Sequence, residues 1–252
     1  MRLYGLIGFP LSHSFSKKYF TTKFENEGLR QYAYNNYPIP IIDDLNKILV
    51  LPGLEGLNVT IPYKEQVIPF LHHTSEIVKK INACNCIRII DGKLFGFNTD
   101  VTGFEKVLEE KLNPEVHKQA LILGTGGSAK AIRYVLEKKG IKYSNVSRKP
   151  SVDSFSYEQL TKEVFQSHQL IINATPLGMF PNIIEAPPIP YKFLSKNHLL
   201  FDLIYNPEKT LFLKKGEEQG ALIQNGYEML VSQAEESWNI WQKEEKELML
   251  SF

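Results

Sequence analysis

A glycine-rich turn between an apolar run and a helical stretch constrains this chain more than any other feature. The run Ala120–Leu123 is typical of a buried strand, and Gly124-Thr125-Gly126-Gly127-Ser128-Ala129 follows it directly. Gly124 permits a tight turn, Gly126 lets the backbone approach a pyrophosphate, and Ala129 lets the helix pack close to the strand. The N–H groups of a helix N-terminus attract anions. The pattern predicts a dinucleotide site; the alternative is a glycine turn in an α/β domain without a ligand.

The end of the next predicted strand indicates which dinucleotide would bind. Lys142–Val146 is predicted as the second strand, and Ser147-Arg148-Lys149 follows it. An NAD-binding chain places an acid about 20 residues after the glycine turn, where it binds the ribose 2′-hydroxyl. This chain has cations there instead, and cations suit a 2′-phosphate. The predicted cofactor is therefore NADP.

Composition argues against several classes of protein. The 252 residues carry 29 Lys and Arg against 28 Asp and Glu, so bulk charge does not favour a nucleic-acid partner. No apolar run approaches the roughly 18 residues of a membrane span, and the N-terminus does not resemble a secretory signal. Cys84 and Cys86 lack the nearby partners that a metal site needs. We expect reduced thiols, a cytoplasmic location, and no metal, membrane or nucleic-acid partner.

Strands and helices alternate along the chain, which predicts the α/β fold class. Asp91-Gly92 predicts a hairpin turn between two of the strands. A stripe of apolar residues in the last helix, Leu230, Ala234, Trp238 and Trp241, predicts core packing. The predicted strands cover 2–9, 31–39, 56–61, 84–90, 93–97, 120–123, 142–146, 170–174 and 199–205, and the main helices cover 14–28, 43–50, 75–81, 100–112 and 227–250.

These elements predict two domains. An N-terminal α/β substrate domain comprises residues 1–100, and the C-terminal helix, residues 227–252, returns to it. A Rossmann-like NADP-binding domain comprises residues 101–226 between them. The 43% of hydrophobic residues are enough to form a core in each domain.

Polar side chains cluster after the predicted strands of the first half, where ligands of open α/β sheets bind. Hydroxyls and amides dominate, with one cation, Lys64, and one anion, Asp100, an inventory that suits a small polyhydroxylated acid. Local alternatives stay open: Ser14 or Ser16 as a helix cap, Asp100 as the cap of the next helix, and Lys64 as a solvated surface lysine. The clusters are Ser12–Ser16, Asn58–Lys64, Asn85 and Asn98–Asp100.

Read in order, the motifs resemble those of the shikimate dehydrogenase family over nearly the whole chain, from Gly8 to Gln233. Each one alone is weak evidence, but the full set in this order is specific. The matching segments are Gly8–Ser16 (a serine motif), Asn58–Lys64 (N-V-T-x-P-x-K), Gly96–Asp100 (G-x-N-T-D), Gly124–Ala129 (the cofactor turn), Asn173–Met179 (N-A-T-P-x-G-M), and Gly226 with Met229, Leu230 and Gln233 (G-x-x-M-L-x-x-Q-A).

The resemblance implies NADP-dependent, reversible reduction of 3-dehydroshikimate to shikimate in aromatic amino-acid biosynthesis. It implies that Lys64 and Asp100 are catalytic and that Ser14 and Ser16 bind the substrate carboxylate. By the same resemblance, Thr60, Asn85, Asp100 and Gln233 bind ring hydroxyls, and Tyr205 lies beside the substrate. The implied cofactor-binding residues are Gly124, Thr125, Gly126, Gly127, Ser128, Ala129, Ser147, Arg148, Lys149, Asn173, Thr175, Leu203 and Gly226.

The chain departs from the family pattern at two places. Cys86 follows Asn85 where the family usually has threonine, and Ser147-Arg148-Lys149 stands for an N-R-T-like segment. Two other functions stay open. A quinate/shikimate dehydrogenase that uses NAD would be expected to carry an acid after the second strand. A non-catalytic NADP-binding sensor would not need Lys64, Asp100 and the serine motif together. A monomer and a homodimer are both consistent with the sequence.

Overall fold

The computed structural model describes residues 1–11, 15–149, 152 and 154–252. Its contacts divide the chain into two compact units, one comprising Met1–Thr99 with Ala234–Phe252 and the other Asp100–Gln233. Each unit is built on a sheet with helices, which confirms the α/β prediction. The boundary between Gln233 and Ala234 falls inside the C-terminal helix, whereas the predicted boundary, between residues 226 and 227, lies at the start of that helix. The assignment of substrate to unit 1 and cofactor to unit 2 stays a prediction.

The helices and strands follow the predicted alternation closely in the first 150 residues. In chain order they are β1 (Arg2–Gly8), α1 (Phe15–Asn26), β2 (Tyr32–Pro38), α2 (Leu45–Leu49), β3 (Leu54–Val59), β4 (His73–Thr74), α3 (Glu76–Ile81), β5 (Cys86–Ile90), β6 (Lys93–Phe97), α4 (Thr99–Lys111), β7 (Gln119–Leu123), α5 (Gly127–Lys138), β8 (Lys142–Val146), β9 (Ser154–Phe155), α6 (Lys162–Ser167), β10 (Leu170–Asn173), β11 (Leu199–Asp202), α7 (Leu211–Glu218), β12 (Leu222–Gln224), α8 (Tyr227–Gln242) and α9 (Glu245–Leu248).

Unit 1 contains a mixed six-stranded sheet with the order β2-β1-β3-β5-β6-β4. Strand β1 pairs in parallel with β2 and β3, and β5 pairs antiparallel with β3 and β6. The predicted hairpin is confirmed: Asp91 and Gly92 join β5 to β6, and both have positive φ angles, 49° and 75°. A two-residue turn of this kind matches the twist of the flanking strands.

Successive strand residues point to opposite faces of this sheet, so both faces carry apolar side chains. Helices cover these side chains on each face. One face carries a mostly aromatic core in which Tyr4, Phe20 and Tyr34 pack with Trp241 of α8. The other face carries an aliphatic core that takes Leu45 of α2 and Val78 of α3. The loops of unit 1 therefore leave a sheet that is packed on both faces.

Trp241 fixes α8 to the sheet. Its side chain is fully buried, its ring centroid lies 4.8 Å from that of Tyr4, and its indole N–H donates to the carbonyl of Ile87 at 3.0 Å. A Cβ on Gly56 would come within 2.4 Å of the indole nitrogen, so the strand must carry glycine there. Of the core stripe predicted for the last helix, Ala234 and Trp241 are fully buried, whereas Leu230 and Trp238 are only partly buried.

Unit 2 contains a parallel six-stranded sheet with the order β12-β11-β10-β7-β8-β9. The chain starts at β7 and moves outward to β8 and β9, then returns to the other side of β7 for β10. The point of reversal therefore lies between β7 and β10. In doubly wound sheets of this order, dinucleotides bind outside the carboxyl ends of the strands at that point.

The last helix is shorter than predicted. The sequence predicts one helix over 227–250, but α8 ends at Gln242 and a separate helix, α9, begins at Glu245. Glu244 causes the break, because its side chain caps α9 and Glu247 reaches back to the Glu244 N–H in a capping box. Two short elements that were not predicted, α7 and β12, complete the edge of the second sheet. Among the described residues, no helix has the length and apolar character needed to cross a bilayer.

Replacing Trp241 with phenylalanine is expected to destabilise the protein by about 1–3 kcal/mol, because it leaves the buried Ile87 carbonyl without its donor. Urea unfolding followed by far-UV circular dichroism measures the change. Trp238→Phe is the matched control, since Trp238 is only partly buried. Equal losses in the two variants would contradict the role given to the indole hydrogen bond.

Candidate active site

Thr60 follows the carboxyl end of β3 and lies against the end of β1. Its N–H donates to the carbonyl of Ile7 at 2.9 Å. A Cβ on Gly8 would come within 2.4 Å of Thr60 Cγ2, so the close approach of these two strand ends requires glycine. The Thr60 side chain is thus held at the edge of the sheet where the predicted ligand-binding loops begin.

The turn that carries Lys64 is anchored on both sides. Tyr63 and Val67 bury their side chains in the aliphatic core of unit 1. The N–H of Cys84 donates to the Lys64 carbonyl at 2.7 Å. The main chain of Lys64 is therefore fixed next to the segment that leads into β5, and its side chain is partly buried. The catalytic role of Lys64 stays a prediction.

Asn85 holds the first residue of α4. Its Oδ1 accepts from the Thr99 N–H at 2.7 Å, and its Nδ2 donates to Thr99 Oγ1 at 3.1 Å. Both side chains are buried. The main chain immediately before Asp100 is therefore fixed by a side chain that the resemblance assigns to substrate binding.

Ser237 of α8 extends this network through the interior of unit 1. Its fully buried Oγ lies 3.2 Å from Thr99 Oγ1 and accepts from Asn58 Nδ2 at 2.9 Å. Asn58 Oδ1 accepts in turn from the Tyr34 hydroxyl at 2.9 Å. No sequence pattern singled out Ser237, because its neighbours Glu235 and Glu236 suggest an exposed helix face. The chain of hydrogen bonds joins α8 to both Asn58 and Thr99.

Ser16 connects α1 to the same network. It is buried in the first turn of α1, beside the Tyr34 hydroxyl. Burial raises the pKa of Tyr34 well above its ordinary value, so the hydroxyl keeps its proton. Ser14, the other serine predicted to bind a carboxylate, lies outside the described residues.

In unit 2 the glycine turn lies at the point where the strand order reverses. Gly124 follows β7 with a φ of 104°, and its N–H donates to the Val146 carbonyl at 2.9 Å. A Cβ at this position would come within 3.1 Å of the Ala174 carbonyl oxygen and 3.0 Å of Thr175 Cγ2. Gly124 is therefore required both by its backbone conformation and by the loop that follows β10.

Gly126 is not required for either of these reasons. Its φ is −70°, and a Cβ added to it would meet no atom within 4 Å. The space beside it is open, as is needed where a pyrophosphate approaches the backbone. Ala129 is fully buried under the sheet, and the exposed turn residues are Thr125 and Gly126, with Gly127 and Ser128 partly buried at the start of α5.

Two exposed cations follow β8. Ser147 donates its N–H to the Phe155 carbonyl at 3.0 Å, and its Oγ accepts from the Lys149 N–H at 3.2 Å, so the main chain of this turn is fixed. The side chains of Arg148 and Lys149 are exposed. Burial raises the pKa of Tyr157 and the charge of Arg148 lowers it, which indicates that the guanidinium lies near this ring.

Asn173 and Thr175, which follow β10, form a local motif with the buried Asp202 at the end of β11. Thr175 donates its N–H and its hydroxyl to Asn173 Oδ1, at 3.0 and 2.6 Å. Asn173 Nδ2 donates to Asp202 Oδ1 at 3.0 Å. Sequence reasoning missed Asp202, although a carboxyl group directly after the apolar run Leu199–Phe201 is a signal that could have identified it.

Leu203 and Gly226 lie together at the same edge of unit 2. The Gly226 N–H donates to the Ile204 carbonyl at 3.0 Å, and a Cβ on Gly226 would come within 2.1 Å of the Leu203 oxygen. Tyr205, predicted to lie beside the substrate, is partly buried, and this burial raises its pKa.

The remaining predicted residues lie at the two ends of unit 2. Asp100 is 8% exposed in the first turn of α4. Gln233 is buried in α8, where its Nε2 donates to the Leu230 carbonyl at 3.0 Å. The structure therefore groups Thr60, Asn85 and the main chain of Lys64 within unit 1, and the glycine turn, Asn173, Thr175, Leu203 and Gly226 within unit 2. The pairing of Lys64 with Asp100 stays a prediction.

Fold and site together define a class of protein. One α/β unit has the strand order of a Rossmann fold and carries a glycine turn at the point where that order reverses. The other α/β unit of the same chain carries buried polar groups at its strand ends. Comparison with known proteins identifies the family within this class. Residues 6–87 match the shikimate dehydrogenase substrate binding domain. The chain is 36% identical to the shikimate dehydrogenase (NADP(+)) of Clostridium beijerinckii over 96% of this chain and 93% of the relative. It belongs to the shikimate dehydrogenase family.

Solved structures agree with this assignment. A shikimate 5-dehydrogenase from Thermus thermophilus, in complex with NADP(H) and shikimate, is similar with a TM-score of 0.83 and 27% identity, over 96% of this chain and 94% of that one. A quinate dehydrogenase from Corynebacterium glutamicum, in complex with NAD, is similar with a TM-score of 0.85 and 26% identity, over 100% and 99% of the two chains.

The buried Asp202 is expected to make stability depend on pH. Burial raises the pKa of Asp202 from 3.8 to about 6, against the hydrogen bonds from Thr210, Ile204 and Asn173 that lower it. The folded protein therefore binds more protons than the unfolded chain between about pH 4 and pH 6, so stability falls as the pH rises through this window. A pKa difference of about two units corresponds to about 3 kcal/mol.

Asp202→Asn removes this titration. The free energy of unfolding of the variant, relative to that of the unmodified protein, is expected to rise by about 3 kcal/mol between pH 4 and pH 7. Urea unfolding at a series of pH values measures it, with Asp43→Asn at an exposed site as the control for loss of one carboxyl group. A pH-independent difference for Asp202→Asn would show that the carboxyl is not buried as described.

Proposed function

We propose that this protein catalyses the reversible, NADP-linked reduction of 3-dehydroshikimate to shikimate in aromatic amino-acid biosynthesis. The observation that carries the proposal is 36% identity to a named NADP(+) shikimate dehydrogenase across almost the full length of both chains. The local chemistry supports it, since unit 1 presents hydroxyls, an amide and an amine at its strand ends, and unit 2 presents a glycine turn at its switch point.

Unit 2 would hold the cofactor. The open space beside Gly126, the tight turn at Gly124 and the buried Ala129 fit a pyrophosphate at the start of α5. Arg148, with Lys149 and Ser147, would bind the 2′-phosphate, and Asn173, Thr175, Leu203 and Gly226 would lie along the rest of the cofactor. Bound NADP(H) supplies or accepts the hydride.

Unit 1 would supply the serines for the substrate carboxylate and the lysine that handles the proton. We assign the carboxylate to Ser14 and Ser16, and the ring hydroxyls to Thr60 and Asn85 together with Asp100 and Gln233; Tyr205 would lie beside the ring. In the direction of reduction, Lys64 donates a proton to the carbonyl oxygen as the carbon receives the hydride. In the reverse direction neutral Lys64 accepts the hydroxyl proton. Asp100 orients the amine and one substrate hydroxyl.

A quinate dehydrogenase that uses NAD is the second candidate, because a quinate dehydrogenase in complex with NAD is among the similar structures. The described turn after β8 carries Arg148 and Lys149 where an NAD-binding chain would place an acid, which favours NADP here. Oxidation of shikimate and of quinate, each with NADP and with NAD, separates the two functions. A change in nicotinamide absorbance with either substrate also excludes a non-catalytic sensor.

Location and assembly go beyond the catalytic proposal. Cys84 and Cys86 are both buried and are not joined by a disulfide, which is consistent with the reducing environment of the cytoplasm, the location we propose. Monomer and homodimer both stay open as forms of the active protein.

Lys64→Ala is expected to lower kcat for shikimate oxidation by at least about 100-fold, because it removes the group that transfers the proton. The dissociation constant for NADP, measured by fluorescence titration, is expected to stay within about twofold, since Lys64 belongs to unit 1. Lys79→Ala, an exposed lysine of the same unit, is the control. Near-normal turnover of the Lys64 variant would refute the assignment.

Arg148→Ala is expected to weaken NADPH binding by about tenfold and to leave NADH binding nearly unchanged, because only NADPH carries the 2′-phosphate. Equilibrium titration with each cofactor measures the two constants. Lys142→Ala, an exposed cation at the opposite end of β8, controls for the loss of charge. Equal weakening of both cofactors would count against a 2′-phosphate contact.

A further inference from the structure

We propose that Asp202 is a positioning residue for the cofactor site: its carboxylate orients Asn173, and Asn173 holds the Thr175 segment against the glycine turn. The inference rests on the proposed NADP site, because it concerns the residues that shape that site. Asp202 itself does not touch the cofactor in this proposal. It acts through the loop that follows β10 and through the turn that follows β11.

Asp202 is fully buried, and the three partners that hold its carboxylate are all donors. Its Oδ1 accepts from Asn173 Nδ2 and from the Ile204 N–H, each at 3.0 Å, and its Oδ2 accepts from the Thr210 hydroxyl at 2.6 Å. A buried carboxylate is stable only when such donors replace water. The arrangement fixes the position of the carboxylate relative to β10, β11 and the start of α7.

The carboxylate decides which way the Asn173 amide faces. An ionised carboxylate can only accept hydrogen bonds, so it must receive the NH₂ group of the amide and not its oxygen. Asn173 Oδ1 is thereby turned to the other side, where it accepts from both the N–H and the hydroxyl of Thr175. If the Asn173 amide were reversed, its NH₂ group would face the Thr175 N–H, and two donors would meet without an acceptor.

Thr175 transmits this orientation to the glycine turn. Its Oγ1 accepts from the Leu177 N–H at 3.3 Å, which closes the loop on itself. Its Cγ2 stands 3.0 Å from the position that a Cβ on Gly124 would occupy. The Thr175 segment therefore forms one wall of the space above the turn, and its position depends on the Asn173 amide.

Asp202 also fixes the second wall. The bond from the Ile204 N–H closes a tight turn over Leu203, and the Leu203 oxygen packs so close to Gly226 that no side chain fits there. The Thr175 segment and the turn at Leu203, which would both face the cofactor, are therefore both held by the buried carboxylate of Asp202.

Asp202→Ala tests the inference. The variant leaves Asn173 Nδ2 and the Ile204 N–H without an acceptor, and we expect the dissociation constant for NADP to rise about tenfold or more. Binding of shikimate alone, measured by calorimetry, is expected to change less than about threefold, since Ser16, Thr60, Asn85 and Lys64 lie in unit 1, whereas Asp100, Tyr205 and Gln233 lie in unit 2.

Thr210→Val is the matched control. It removes the third donor to Asp202 and the side-chain cap on Leu213, which lowers stability, but it leaves the Asn173 and Ile204 bonds in place. We expect a melting temperature lowered as in Asp202→Ala with NADP binding within about threefold of the unmodified protein. If the two variants weaken NADP binding equally, Asp202 acts only on stability and the inference is wrong.

Asp202→Asn is expected to restore NADP binding, because one amide oxygen can still accept from Asn173 and Ile204 while the amide nitrogen faces the Thr210 oxygen. Failure of this conservative variant to bind better than Asp202→Ala would contradict the inference.

A titration of the unmodified protein tests the coupling without a substitution. The NMR signals of the Asn173 side-chain NH₂ and the Thr175 N–H are expected to shift with one common midpoint as Asp202 ionises, and the shift is expected to be absent in Asp202→Asn. Asn173, Ile204 and Thr210 face the carboxylate as neutral groups. The ionisable Tyr191 also interacts with the carboxylate, because burial and the Asp202 charge both raise the pKa of Tyr191. A Thr175 signal that does not follow the titration would overturn the inference.

The proposed function and this inference fail in different ways. If the unmodified protein binds no NADP, both fail. If it binds NADP and oxidises shikimate while Asp202→Ala binds NADP equally well, only the positioning role of Asp202 fails.

Discussion

Both units depend on one physical constraint: a polar side chain buried at the end of a strand must find a hydrogen-bond partner inside the protein. In unit 1, Asn85, Thr99 and Ser237 satisfy one another. In unit 2, Asn173 and Asp202 do the same. These bonds fix the first residues of the loops that leave the sheets, and those loops carry the candidate functional groups. The same bonds that satisfy buried polar atoms therefore also limit how the site can move.

The two polar networks differ in kind. The network of unit 1 consists of neutral hydroxyls and amides, and each of its hydroxyls can both donate and accept. The network of unit 2 contains a carboxyl group, which fixes the direction of every bond around it while it is ionised. The neutral network fits the proposal that unit 1 binds a polyhydroxylated ring, because its hydroxyls can adapt to hydroxyl partners. The charged centre fits the proposal that unit 2 holds an extended cofactor in one geometry.

Local sequence patterns predicted the elements that depend on local chemistry. The hairpin at Asp91-Gly92, strand β8 and the helix after the glycine turn are confirmed, because turn residues and hydrophobic periodicity act over a few positions. The helix over 227–250 was wrong at Glu244, where a capping box competes with a continuous apolar stripe. Ser237 and Asp202 were missed because their importance depends on partners far away in sequence, Asn58 and Asn173 among them. The sequence could place the candidate residues at strand ends and turns, but it could not give the hydrogen bonds that orient them, and the roles of these residues stay predictions.

Unit 1 is discontinuous in the chain, since Met1–Thr99 is completed by Ala234–Phe252. The aromatic core around Tyr4, Phe20 and Tyr34 stays open until Trp241 has been added by the ribosome. Unit 2 is encoded within one uninterrupted stretch, so it can fold during synthesis before the last residues of unit 1 have been made. The residues of unit 1 that are made first can therefore complete their core only after all of unit 2 has been made. Until then, the aromatic side chains of the N-terminal segment lack the Trp241 ring against which they pack in the folded protein.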